Sequence, residues 1–429
     1  MSASEIGRPR RSAGYRPRYA DGELAARLGA TGAVLIEGPR GCGKTETARQ
    51  VARSEVRLDV DDEARAAGHV APAVLLEGDR PRLIDEWQLV PAIWNQVRRD
   101  VDAHPNQPGR FILTGSAVPV DDTTRHSGAL RFTRLRMRPM SLAESGHSTG
   151  DVSLAALLAG EDPRAADPGL TISALAERVA VGGWPALLGR SIDQALVALR
   201  GYLDETRRVD MVRLDGTRRD PENVARVLRS LARNVATSAS ARAIAADVGG
   251  ADGPIDYHTV LDYVNGLTRL FIVEDLPAWS PALRSRSILR AAPTRHFVDP
   301  SLAVAALDTR PERLVRDVQT FGLLFESLVV RDLRIYAQAV DATVFHYRDN
   351  NGLEADAIVQ GRDGRWAAFE VKLGQAAIDL AANNLLRLAD RIDTEKHGAP
   401  VALAVITGWG VAYRRADGVS VIPVGALAA

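Results

Sequence analysis

Three of the 54 basic residues are lysines, Lys44, Lys372 and Lys396, and the other 51 are arginines. Where any cation would serve, this chain uses arginine, so a lysine marks a place where chemistry asks for one. Lys44 falls in the run Gly38-Pro39-Arg40-Gly41-Cys42-Gly43-Lys44-Thr45, which has the form G-x-x-x-x-G-K-[ST]. Glycines let the backbone curl until its N–H groups face phosphate oxygens. A following helix aims its positive N-terminus at the same charge. In that role Lys44 bridges the β- and γ-phosphates of ATP, and Thr45 offers its hydroxyl to Mg²⁺. Cys42 fits the loop as a small residue. A Gly-rich turn with an incidental lysine is the bland alternative.

Forty residues on, the apolar run Arg82-Leu83-Ile84 ends in Asp85 and Glu86. Asp85 at a strand tip suits Mg²⁺ held through water, and Glu86 suits a catalytic role, orienting the attacking water. The run 111–114 ends in Thr114, with Ser116 close behind. These hydroxyls either sense the γ-phosphate or simply close a strand. Residues 125–138 hold five arginines, at 125, 131, 134, 136 and 138, and no acid. They read as a solvated basic strand, or as the source of a catalytic finger on a neighbouring subunit's γ-phosphate. Arg131 is the candidate for that finger.

The second informative lysine, Lys372, follows Glu370 by two residues, so both share one face of a strand. On the strand before it, Glu354 and Asp356 share a face while Ala355, Ala357 and Val359 fill the other. Upstream, Glu326 is the only charge within 321–330, and its neighbours at i±3 and i±4 are Gly322, Leu323, Val329 and Val330. A carboxylate on so apolar a face is costly without a partner or a metal.

Elements must hold these side chains. Runs 33–37, 56–60, 82–85 and 111–114 read as strands, with helices over 44–53 and 91–101. That alternation predicts a parallel sheet with crossover helices. Residues 242–248 and Tyr257–Arg269 read as two helices of a helix-turn-helix, with wing strands over 270–275 and 295–299. Tyr257, His258, Arg242 and Arg269 are its candidate DNA-facing groups, and His258 alone reads as a surface residue. Residues 311–337 form one long helical pattern. Strands over 343–348, 353–359 and Trp366–Lys372 follow, with Asn351-Gly352 and Asp363-Gly364 marking hairpin turns. A helix over 376–392 and a strand over 401–406 complete an αβββαβ order. The resulting division is a basic tail (1–20), a P-loop domain (21–145), a helical lid or linker (146–205), a winged-helix-like domain (206–310) and an αβββαβ domain (311–429). The tail, with Arg8, Arg10, Arg11, Arg16 and Arg18 against Glu5, reads as a solvated arm or a phosphate-seeking one.

Four motifs resemble the bacterial and archaeal AAA-type ATPases that carry a C-terminal domain of unknown function, DUF4143. They are residues 38–45, Leu-Ile-Asp-Glu-Trp-Gln at 83–88, Leu-Thr-Gly-Ser at 113–116 and Arg-Pro-Met-Ser-Leu-Ala-Glu at 138–144. The resemblance continues through Gly-Gly-Trp-Pro at 182–185, Phe-Val-Asp-Pro at 297–300 and Leu-Phe-Glu at 324–326. It spans nearly the whole chain. The C-terminal order also resembles the PD-(D/E)-x-K fold of restriction-type nucleases. Asp356 matches its aspartate, Glu370-Val371-Lys372 its E-x-K, and Glu326 the acid on its first helix. That resemblance implies Glu326, Asp356 and Glu370 as metal ligands and Lys372 as the catalytic residue that positions or activates water. The alternatives are an exposed salt-bridged sheet face, or a nuclease fold that binds nucleic acid without cutting.

Composition bounds the rest. At roughly 150 residues per domain, 429 residues make about three domains. The formal charge is zero, so the whole chain carries no nucleic-acid bias. One cysteine excludes a disulfide framework and a cysteine-rich zinc site. No apolar run approaches the roughly 18 residues of a membrane span, and the first twenty residues lack an apolar signal core. The expectation is a cytoplasmic α/β multidomain protein that uses ATP and Mg²⁺, with DNA and further copies of itself as candidate partners and no membrane. ATP turnover is expected to control a metal-dependent nuclease-like site. The rival is a nucleotide-dependent switch or remodeller whose C-terminal fold only binds a nucleic acid or protein.

Overall fold

The computed structural model describes residues 14–117, 127–214, 216–217, 219–249, 255–281, 292–349 and 351–429. Arg8, Arg10 and Arg11 of the tail, and Arg125, lie outside the described residues. The chain divides into two compact units. One comprises the chain up to Pro139 with Val212–Thr217 and Arg269–Phe271; the other holds the remainder.

In the first unit, α1 (Tyr19–Ala30) precedes β1 (Ala33–Glu37), α2 (Lys44–Val51), β2 (Ser54–Arg57), α3 (Asp62–Val70), β3 (Arg82–Asp85), α4 (Ile93–Ala103), β4 (Phe111–Gly115) and β5 (Phe132–Arg136). All five strands are parallel, in the order β2-β3-β4-β1-β5. β1 up to Ile36 and β4 up to Leu113 are apolar and buried, as strands covered on both faces must be. One face packs Leu35, Ile84, Trp87, Trp94, Val97 and Leu113. The other packs Leu24, Val34, Ile36, Ala48, Leu83 and Ile112. β2 begins and ends earlier than the run 56–60, because the chain turns at residues 58–60 and Asp61 caps α3 by accepting from Ala64 N at 2.8 Å. The C-terminal ends of β1, β3 and β4 lie side by side, which is where an open parallel sheet receives its ligand.

The tail does not float free at its C-terminal end. Arg18 is buried, and its guanidinium donates to Cys42 O at 2.8 Å and Arg138 O at 2.7 Å. Tyr15 OH meets Asp21 Oδ1 at 2.5 Å and Thr47 Oγ1 at 2.9 Å. An arginine with two carbonyl partners has reason to leave water, and the solvated-arm reading fails for this segment.

The second unit starts with α5 (Leu142–Ser145), β6 (Val152–Ser153), α6 (Leu154–Leu158), α7 (Ile172–Val181) and α8 (Ile192–Glu205). A π-helical turn over Thr206–Asp210 leads into α9 (Met211–Arg213), whose last two residues belong to the first unit. Next come α10 (Pro221–Arg233), α11 (Ala241–Val248), α12 (Tyr257–Arg269) and the antiparallel pair β7 (Val273–Leu276) and β8 (Thr294–Phe297). Arg242 Cζ lies 5.6 Å from the centre of the Tyr257 ring. His258 is exposed.

The long pattern 311–337 is two helices. After α13 (Pro300–Ala306), α14 (Pro311–Arg316) stops at Asp317, which caps α15 (Val318–Ala339) by accepting from Thr320 N at 3.1 Å. Then follow β9 (Ala342–Arg348), β10 (Glu354–Gly361), β11 (Trp366–Lys372), α16 (Ile378–Arg391), the short α17 (Thr394–His397) and β12 (Ala402–Thr407). β13 (Tyr413–Arg414) and β14 (Ser420–Pro423) extend the sheet to β13-β14-β12-β11-β10-β9. β15 (Leu427–Ala428) pairs with β6 instead. α15 covers one side of the sheet and α16 the other. A register shift between Ala355 and Ile358 breaks the period-2 reading of β10. Ala355 and Ile358 both pack with α16, and Ala357 and Val359 are buried as well. Among the described residues, no helix is long and apolar enough to cross a membrane.

Candidate nucleotide site and C-terminal carboxylate cluster

The run 38–45 forms the turn between β1 and α2. Gly41 and Gly43 take φ of 74° and 106°, the left-handed region that glycine enters without penalty. A Cβ on Gly38 would lie 2.2 Å from Met137 O, so no side chain fits there. Arg40 and Gly41 are exposed at the crest, while Pro39 and Cys42 are buried. Lys44 is 5% exposed, and its ammonium is held in the loop by Gly38 O at 2.9 Å and Pro39 O at 2.8 Å.

Thr45 Oγ1 donates to Asp85 Oδ1 at 2.8 Å. Thr114 Oγ1 donates to the same oxygen, and Arg57 Nε stands 3.7 Å from Asp85 Oδ2. Asp85 is 2% exposed, so a carboxylate has been buried with hydroxyls and a cation around it. Glu86, the next residue, is left-handed at φ 55°, ψ 46°, and it receives Ser116 Oγ on Oε2 at 3.1 Å. Gln88 Nε2 donates to that same Oε2. The fold thus gathers Gly38–Thr45, Asp85, Glu86, Thr114 and Ser116. A hydroxyl and a carboxylate converging in front of a glycine-lined turn suit Mg²⁺ beside nucleotide phosphates, so the donor set fits the expected group.

Arg131 is placed elsewhere. It precedes β5 at the N-terminal end of the sheet, opposite the loop, and its Nε donates to Asp102 Oδ1 at 2.7 Å. Arg134 meets Glu37 Oε2 at 2.8 Å, and Arg136 stacks over Phe271 at 4.1 Å.

In the second unit, Lys372 Nζ sits 3.1 Å from Asp356 Oδ2 and 2.5 Å from Glu370 Oε2. Asp356 Oδ2 also accepts from Val371 N at 2.7 Å. Burial works against the Lys372 charge, but the two carboxylates outweigh it and hold its pKa above the ordinary value. Burial, and then the Asp356 charge, push Glu370 up to about 7. Glu326, half-buried on α15, stands well above the ordinary carboxylate range through burial and the charge of Asp356. The four predicted residues are therefore neighbours. They do not form one coordination shell. Among the described residues, no group of three or more His, Cys, Asp or Glu is arranged to hold a metal. The Lys372 ammonium occupies the place between Asp356 and Glu370 that a cation would take.

Several residues escaped the sequence reading. Asn384 on α16 donates to Glu370 Oε1 at 2.6 Å and to Glu354 O at 2.8 Å. Its only signal was an amide beside the apolar stripe of an amphipathic helix. Arg331 on α15 lies fully buried between Asp299 at 2.8 Å and Asp332 at 2.7 Å. Asp299 Oδ2 also accepts from Gly183 N at 2.9 Å, and Asp332 Oδ2 accepts from Leu142 N at 3.0 Å. Burial opposes the Arg331 charge, and Asp332 and Asp299 together lift its pKa above the ordinary value. This cluster joins the motifs at 138–144, 182–185 and 297–300.

The parallel sheet, its loop and the acids at the ends of β3 define a P-loop nucleotide-binding domain. Residues 30–146 match the family model of an AAA domain, and residues 321–427 match the domain of unknown function DUF4143. The two matches support the arrangement of an AAA-type ATPase domain followed by a C-terminal DUF4143 domain. Residues 172–313 match a further domain of unknown function, DUF8612. Uncharacterised proteins of Mycobacterium tuberculosis and Mycobacterium bovis are each 26% identical over 343 residues, 79% of this chain and 70% of theirs. Among solved structures, the Walker-type ATPase of Pyrococcus abyssi aligns with 69% of this chain and 97% of its own, at 14% identity and a TM-score of 0.43.

Proposed function

We propose that this chain binds ATP with Mg²⁺ at Gly38–Thr45, hydrolyses it with Glu86, and uses that cycle to control its C-terminal domain. The observation that carries the reading is the contact of Thr45 with Asp85, beside a glutamate held in a left-handed turn. Mg²⁺, when bound, neutralises β- and γ-phosphate oxygens. Thr45 and Asp85 are the side chains that would hold it. Lys44 exchanges its carbonyl partners for phosphate oxygens, and Glu86 orients water and accepts its proton. Thr114 fixes Asp85, and Ser116 fixes Glu86. Arg131 stays available only to a neighbouring copy of the chain. The test is Glu86→Gln: calorimetry should show ATP binding unchanged while phosphate release falls by about 100-fold. Equal loss of binding would make Glu86 structural.

A second site is favoured by the cluster Asp356–Lys372–Glu370. It supports a PD-(D/E)-x-K-like domain acting on DNA, with helices 10 to 12 and the β7–β8 hairpin as a winged-helix-like companion. Asp356 and Glu370 would hold a divalent cation once Lys372 turns aside toward the scissile phosphate, with Glu326 as the third acid of the set. Metal-dependent cleavage of plasmid DNA, with and without ATP, tests it. Cleavage lost in Lys372→Ala supports the enzyme. Binding without cleavage supports the rival, a domain that only docks a partner.

A further inference from the structure

Gln88 lies two residues beyond Glu86, in the 3₁₀ turn Trp87–Leu89. Its Nε2 donates to Glu86 Oε2, the oxygen that also accepts from Ser116. The other end of the amide, Oε1, is buried and has no hydrogen-bond partner among the described residues. An unsatisfied buried acceptor is costly, so an idle one beside the carboxylate of Glu86 calls for a ligand. Turning the amide over does not remove the difficulty. It would set the carbonyl oxygen against the Glu86 carboxylate, two acceptors face to face, so Glu86 fixes the amide's orientation.

The surroundings point the same way. Glu86 is left-handed at φ 55°, a conformation unfavourable to a non-glycine residue and tolerated where it aims a functional group. Gly115, at the end of β4, faces the amide. A Cβ there would stand 3.1 Å from Gln88 Oε1 and 3.1 Å from Trp87 Nε1. The missing side chain lets the end of β4 approach the amide closely, and Oε1 is sheltered from bulk solvent, as a reacting water must be.

We infer that Gln88 is a second water-orienting residue of the nucleotide site. Its N–H end holds Glu86, and its carbonyl accepts one hydrogen of the attacking water while Glu86 accepts the other. The water oxygen bonds to the γ-phosphorus as the bond from that phosphorus to the β–γ bridging oxygen breaks. ADP carries away the electron pair, and the water's proton passes through Glu86 to the products. Two acceptors fix both hydrogens, so the lone pair of the water faces phosphorus without a search over orientations. This inference rests on the hydrolytic reading above.

The experiment uses the full chain and measures ATP affinity and kcat separately. Gln88→Ala removes both ends of the amide. Gln88→Glu keeps the size and an oxygen but loses the donor to Glu86. Both should bind ATP within about twofold of the parent and turn over about 100-fold more slowly. Adding Glu86→Gln to either should cost little more, because residues acting on one water are not additive. If Gln88→Ala does not fold, Gln88→Glu decides. Parental kcat in either folded variant overturns the inference, as does a kcat loss matched by an equal loss of ATP affinity. A parent that binds ATP and never hydrolyses it would instead overturn the hydrolytic reading, and this inference with it.

Discussion

Thr45 and Asp85, forty residues apart, share a hydrogen bond of 2.8 Å that closes the phosphate loop against the end of β3. Threonine donates and aspartate accepts, and the same oxygen also takes Thr114. A divalent cation replacing that contact would bind both oxygens at once. In Asp85→Asn the charge is lost while the shape stays. Mg²⁺ should then tighten ATP binding by at least about tenfold less than in the parent, a difference of about 1.4 kcal/mol. Calorimetry with and without Mg²⁺ reads it, and an unchanged Mg²⁺ effect would remove Asp85 from the site.

The buried Arg331 contributes to folding. Removing one member of a buried ion pair leaves the others uncompensated, at a cost of about 3–5 kcal/mol. Arg331→Met strands both Asp299 and Asp332, so the second unit should melt roughly 10 °C lower. Gly183→Ala should also destabilise, since its Cβ would lie 1.9 Å from Met140 O. Calorimetric scans check both, and parental melting of Arg331→Met would mean the cluster relaxes freely.

Much of the first unit was legible because its signals are local. An apolar strand, a glycine turn and a lysine at a helix start give β1 and α2 almost residue for residue. Acids at a strand tip give Asp85 and Glu86. The solvated-arm reading failed around Arg18 for a long-range reason: nothing near it in sequence announces Cys42 O and Arg138 O as its partners. The break at Asp317 was misread because apolar spacing continues across it, and only the cap reveals two helices. The bulge in β10 was invisible to a period-2 count. The motifs around Gly183 and Asp299 could be matched but not explained until Arg331 joined them. At the C-terminal cluster the residue types were readable, and the arrangement was not. A sequence does not say whether a lysine stands beside two carboxylates or between them.

Glu370 sets a pH dependence. Its folded pKa, about 7, lies above its ordinary 4.5, so the folded chain holds this proton more tightly than the unfolded one. The cost of ionising it is absent below about pH 4.5 and complete above about pH 7, so stability should fall as pH rises through that window. Glu326 acts with the same sign. Lys372, with its pKa raised, stays charged throughout and adds no slope there. Denaturant unfolding with chelator, at about pH 5 and about pH 7.5, should show a drop that shrinks in Glu370→Gln. An equal drop in that variant contradicts the assignment.

Metal addition tests the same cluster. If Asp356 and Glu370 take up a divalent cation, Mn²⁺ should raise the melting temperature by mass action. The rise should vanish in Asp356→Ala. A rise that survives the substitution would place the cation elsewhere.

The central claim is that Gly38–Thr45 binds ATP through Lys44. One titration addresses it most directly: ATP with Mg²⁺ into the parent chain and into Lys44→Ala, followed by calorimetry. The parent should show saturable binding at one site, and Lys44→Ala no measurable binding. Lys44→Ala binding ATP as tightly as the parent would contradict it.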